Sequence, residues 1–140
     1  MEFALIQTKP AQAGFKILFL IHLRVAFGKM DTLDNYRQMI QKILDEYAQL
    51  SYAYGELERQ LIIDQTANHY VLLTLGWENN LRVHGCLVHI DIINDKIWIQ
   101  RDGTEHGIAN ELVNAGISKN QIVLAFQPAD IRQYTEFAVT

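Results

Sequence analysis

Apolar residues recur at steps of three and four between Met30 and Leu50, at Leu33, Tyr36, Ile40, Ile43, Leu44 and Tyr47. That spacing lays a single greasy stripe along an α-helix, which then needs a sheet face to pack on. Asp31 or Thr32 can cap the free N–H groups, and Asp34 adds favourable charge to the first turn. Beyond residue 55 the period shortens. Glu56–Asp64 alternates before turning wholly apolar, His69–Trp77 is β-branched and aromatic, and Leu81–Ile93 is largely apolar. They read as three strands, with turns at Thr66–Asn68 and Glu78–Asn80. Gly85 inside the third strand marks a bulge or a close backbone approach.

Asn94-Asp95 is a two-residue hairpin turn, because both residues tolerate positive φ. Closed tightly, it sets Ile93 opposite Lys96, Ile92 opposite Ile97, Asp91 opposite Trp98, Ile90 opposite Ile99 and His89 opposite Gln100. Cys86, Val88, Ile90, Ile92, Ile97 and Ile99 then share one face, and His89, Asp91, Trp98 and Gln100 the other. After a turn at Arg101–Gly107, Thr104 is a candidate N-cap for a second helix, with Glu105 in its first turn and Ile108, Ala109, Leu112 and Val113 as its buried stripe. Gly116 ends that helix in the left-handed conformation, with Ile117 folding back. Gln121–Phe126 is a final buried strand. The predicted order defines an α+β fold: an N-terminal helix, a largely antiparallel sheet of about five strands, and a second helix before the last strand.

Residues 1–29 fit this plan poorly. Their apolar run, Ile17–Ile21, is interrupted by His22 and Arg24, far short of the roughly 20 apolar residues of a membrane span. Nor do they resemble a signal peptide. Either this segment docks on the domain, or it is upstream sequence translated from an early start codon; the helix start at Met30 favours the second. The expected division is an extension over 1–29 and a domain over 30–140.

Charge separates along the same line. Residues 1–29 carry four basic groups and one acidic group, whereas 30–140 carry eight basic and fifteen acidic groups, a balance of −7. Binding to nucleic acid draws on neutralising phosphates with Lys and Arg, so direct nucleic-acid binding is not expected. The single cysteine, Cys86, excludes an internal disulfide framework and suits a cytoplasmic protein.

The candidate chemistry concentrates between Gly85 and Ile117. His89 and Asp91, two apart on a strand, project from one face, and Asp102 could join them in a metal-dependent or DNA-acting site. The spacing alone specifies no metal, however, and mutual hydrogen bonding is the simpler account. A restriction-like nuclease needs an acid-x-lysine pair on the strand after Asp91, and that strand reads Trp98-Ile99-Gln100-Arg101. Cys86, on the apolar face, reads as an inert thiol. "GTEHG" lacks the spacing and lysine of a phosphate-binding loop. No catalytic residue, metal or cofactor is therefore expected. A contact surface is expected instead at Trp98, Gln100, Arg101, Arg132 and Tyr134, aromatic and arginine side chains of the kind that anchor interfaces.

From Met30 onward, "DNYRQMIQKILDEYA", "YGELERQLIID", "HYVLLTLGW", "RVHGCLVHIDI", "DKIWIQRDGTEHGIANELVNAGI" and "IVLAFQPADIRQYTEFAV" follow in order. They resemble the XisI-like family, the fdxN element excision controlling factors. The resemblance implies a small cytoplasmic protein of filamentous, mostly cyanobacterial organisms, associated with controlled excision of a DNA element. Such proteins act beside a site-specific recombinase and an XisH-like protein that itself resembles a nuclease. No catalytic residue carries over. Relatives often have a histidine where this chain has Gln127 and an acid where it has His106, departures that weaken any catalytic role there. A non-enzymatic accessory protein holding an XisH-like partner is the expected function, with self-association left open.

Overall fold

The computed structural model describes residues 32–50 and 56–140, so Met30, Asp31 and the extension over 1–29 lie outside the described residues. Tyr36–Thr140 forms one compact unit. Helix α1 covers residues 32–49. Strands β1 (Glu56–Ile63), β2 (His69–Glu78), β3 (Leu81–Ile93) and β4 (Lys96–Asp102) follow, then helix α2 (Ile108–Asn114), a 3-10 turn (Lys119–Gln121), strand β5 (Ile122–Leu124) and the short helix α3 (Ala129–Arg132). The strands form one sheet in the order β1-β2-β3-β4-β5. The first three pairings are antiparallel, and β5 runs parallel to β4. The architecture is the expected α+β one.

The helical stripe packs where its period places it. Ile40, Ile43 and Leu44 are buried in one cluster with Tyr70, Leu72, Val88, Ile90, Ile97, Ile99, Ile108, Leu112 and Ile122, while Tyr36 and Tyr47 pack at its rim. Burying each such side chain is worth about 1.5–3 kcal/mol, so this single-sided core carries the fold. Tyr47 also ties α1 to α2 by donating its hydroxyl to Glu111. Burial and that carboxylate push its phenol up to about 12.

Both hairpin turns of β3 are two residues long with positive φ, 49° and 63° at Asn79-Asn80 and 49° and 64° at Asn94-Asp95. Two bulges modify the simple register. Between β2 and β3, Leu72 pairs with Val88 but Leu73 with Cys86, so Leu87 is the extra residue. Between β3 and β4, Ile90 pairs with Ile99 but His89 with Arg101, so Gln100 is extra.

Five expectations are corrected here. His89 stands opposite Arg101, not Gln100. Cys86 leaves the apolar face, because the Leu87 bulge puts it opposite Leu73, whereas Leu87 packs on the core. Helix α2 starts later than Thr104 predicts: its N-cap is Gly107, and the Asp102 carboxylate accepts from the Ile108 N–H at 2.6 Å. Its far end behaves as expected. Gly116, at φ 109°, lets Ile117 N–H return to the Leu112 carbonyl at 3.0 Å, which closes the helix. Gly85 makes no close approach, since an added Cβ there would meet nothing within 4 Å. The last strand is shorter than Gln121–Phe126, and its outer side takes the C-terminal tail through Ala138 N–H to the Ile122 carbonyl at 2.9 Å.

Candidate functional site

The second sheet face carries the polar and aromatic residues. Asp91 of β3 lies between His69 of β2 and Trp98 of β4 in one row across the sheet. It is 8% exposed and the only charged side chain among the buried described residues. Burying an ionised carboxylate is costly unless its oxygens are hydrogen-bonded. Three side chains meet that need. His69 Nδ1 and His89 Nε2 reach Oδ1 at 2.7 and 3.1 Å, and Gln100 Nε2 donates to Oδ2 at 3.0 Å.

Sequence reasoning placed His89, Asp91 and Gln100 together but missed His69. Counted back from the Asn79-Asn80 turn, His69 falls opposite Ile90; the Leu87 bulge moves it opposite Asp91. Asp102 does not join this group. It pairs with the buried Val88 on the core side, and its carboxylate takes Thr104 N–H at 2.9 Å, Thr104 Oγ1–H at 2.6 Å and Ile108 N–H. The set His89, Asp91 and Asp102 is thus split between the two faces. Among the described residues no group of three or more His, Cys, Asp or Glu side chains is arranged to hold a metal ion.

The Asp91 hydrogen bond holds the His69 imidazole above its usual range. A raised imidazole stabilises the fold below the ordinary histidine range, and that contribution is lost as pH rises through the raised value. His69→Gln should therefore lower the melting temperature more at about pH 5.5 than at about pH 8.5. An equal drop at both values, read by circular dichroism, contradicts the ion pair.

Beside this cluster, Arg132 lies over the Trp98 ring with its guanidinium carbon 5.4 Å from the centroid. Its Nε donates to the Gln127 carbonyl at 3.0 Å, Nη2 to Ala125 at 3.3 Å and Nη1 to Val139 at 3.4 Å. Arg132 thus stitches the tail down on Trp98, whose buried Nε1–H has no hydrogen-bond partner among the described residues. The indole works by area and stacking. Arg101 is exposed and donates Nε to the Cys86 carbonyl at 2.7 Å. Tyr134 is 80% exposed. Burial pushes the Cys86 thiol up, away from thiolate character.

A five-stranded mixed sheet, helices over its apolar face, and a hydrogen-bonded His-Asp-His cluster on the other define a small α+β domain. No helix among the described residues is long and apolar enough to cross a membrane. The chain belongs to the XisI protein family, whose model matches residues 30–139. It is similar to the crystal structure of a XisI-like protein from Anabaena variabilis, at 37% identity over 77% of this chain and 99% of that one, with a TM-score of 0.71. It is also similar to the fdxN element excision controlling factor XisI from Anabaena variabilis, at 36% identity over 78% and 99% of the chains, with a TM-score of 0.67. No curated protein matches it.

Proposed function

We propose that this chain is a non-enzymatic accessory protein, cytoplasmic and active in controlling excision of a DNA element, and that it acts by holding an XisH-like protein of nuclease fold. Its kinship to the solved excision controlling factor supports the process. One structural observation carries the mode of action. Both acids of the candidate chemical set are engaged in holding the fold, Asp91 by His69, His89 and Gln100, and Asp102 by Thr104 and Ile108. The family match over 30–139 supports a functional domain beginning at Met30, with 1–29 outside it.

The contact surface is built on Trp98, Gln100, Arg101, Arg132 and Tyr134. Trp98, Gln100 and Arg132 shape it from beneath, and Arg101 and Tyr134 reach into solvent. An acidic body suits a partner with a basic, DNA-binding groove, because complementary charge speeds encounter and orients docking. The test is co-purification of the two proteins at micromolar concentration. A stoichiometric complex is expected, weakened about tenfold or more in Arg101→Glu/Tyr134→Ala, the equivalent of about 1.4 kcal/mol. Failure to associate, or full-strength binding by the double variant, rejects the proposal.

A further inference from the structure

We infer that two copies of this chain pair through the open edge of β3, with Arg82 and His84 of each strand bonding their counterparts across a two-fold axis at Val83. This goes beyond the function proposed above and does not depend on it. β3 runs from Leu81 to Ile93, but β4 pairs only with Val88–Ile93. On that side the Cys86 carbonyl accepts from Arg101 Nε and the Leu87 carbonyl from Gly103 N–H. From Leu81 to Gly85, no strand among the described residues covers it.

The two-residue turn fixes which groups point outward. Asn79-Asn80 closes on the pair Glu78 and Leu81, the hydrogen-bonded pair of such a hairpin. Alternation then aims the backbone groups of Leu81, Val83 and Gly85 at β2, and those of Arg82 and His84 at the open side. The Cys86 carbonyl, which reaches Arg101, is in phase with this.

A second copy running antiparallel, centred on Val83, meets every requirement at once. Arg82 faces His84 of the copy and the reverse, so two pairs with outward groups exchange four backbone hydrogen bonds. Leu81, 70% exposed, faces Gly85 of the copy, where an added Cβ meets nothing within 4 Å. Val83 faces itself as a close, non-hydrogen-bonded pair, with Cα atoms about 4.5 Å apart.

The other edges are guarded. β1 exposes Glu56 and Glu58, charges of the kind that deter strand addition, and the tail lies along β5. The β3 edge carries no acid and no lysine from Leu81 to Gly85, and Arg82 is drawn back over the Trp77 ring at 5.6 Å. A seam this short falls below the roughly 1,200 Å² of standard interfaces, so a dimer in the micromolar range is expected.

Sedimentation equilibrium of the full chain between about 1 and 200 μM tests this, since it spans that affinity range. A monomer–dimer equilibrium is expected. Val83→Lys and Val83→Asp should each dimerise at least about tenfold more weakly, because like charges then meet on the axis, and an equimolar mixture of the two should restore association. As a readout that tolerates some loss of stability, Val83→Cys in a Cys86→Ser background, treated with oxidised glutathione as the two-electron acceptor, should form a disulfide-linked dimer, because the pair distance suits a disulfide. A chain monomeric throughout, single charge variants that dimerise like the parent, or a mixture that fails to associate each overturn the interface.

Discussion

Gly76→Ala should destabilise the protein by more than about 3 kcal/mol, a large fraction of the stability of a domain this size. Gly76 sits in β2 at φ 142°, and an added Cβ would lie 1.9 Å from the Glu56 carbonyl oxygen and 2.9 Å from the Leu57 Cα. Both neighbours are backbone, so no side-chain rotation relieves the overlap. Either β1 peels from β2 or the two strands slide. The residue pairs with Leu57 on one side and Val83 on the other, at the centre of the β1–β2–β3 arm. Its substitution therefore strikes the segment from which the β3 edge projects. Urea unfolding gives the loss directly, and amide exchange should show protection falling first in β1. Gly85→Ala is the control: with nothing within 4 Å of its Cβ, stability should change by less than about 1 kcal/mol.

Asp102→Ala comes next, with an expected cost of about 3 kcal/mol. One carboxylate accepts from Thr104 N–H, Thr104 Oγ1–H and Ile108 N–H, and each such bond contributes about 1 kcal/mol, more where the acceptor is charged. Its loss frees the first turn of α2, whose Ile108, Ala109 and Leu112 are core residues. Asp102→Asn should fall between the two, because one amide oxygen keeps the Thr104 contacts while the NH2 group faces the Ile108 donor. Thermal unfolding ranks the three proteins. A neutral Asp102→Ala contradicts the capping role and reopens a chemical one.

Much of this arrangement is legible in the sequence. The α1 stripe, the first four strands, the Asn94-Asp95 turn and the opposition of Asp91 to Trp98 follow from period and turn chemistry. The two bulges do not, for a simple reason. Cys86-Leu87-Val88 is apolar throughout, so alternation is silent about which residue is extra. Gln100-Arg101 is polar throughout, so slipping one place there exposes no aliphatic side chain. These silent shifts decide the site: one brings His69 to Asp91, and the other trades Gln100 for Arg101 opposite His89. Asp102 misleads in a similar way, since its capping of α2 from six residues upstream follows no short-range signature. Arg132 reads as a free anchor because nothing local shows that the chain folds back to give it the carbonyls of Ala125, Gln127 and Val139.

Association with an XisH-like protein remains the most direct test of action by contact, with His69→Ala/His89→Ala measured beside Arg101→Glu/Tyr134→Ala. The histidine variant, folded by circular dichroism, should bind and regulate its partner like the parent, while the surface variant fails to bind. Retained binding with regulation abolished in the histidine variant would instead give the His-Asp-His cluster a chemical task and contradict the account.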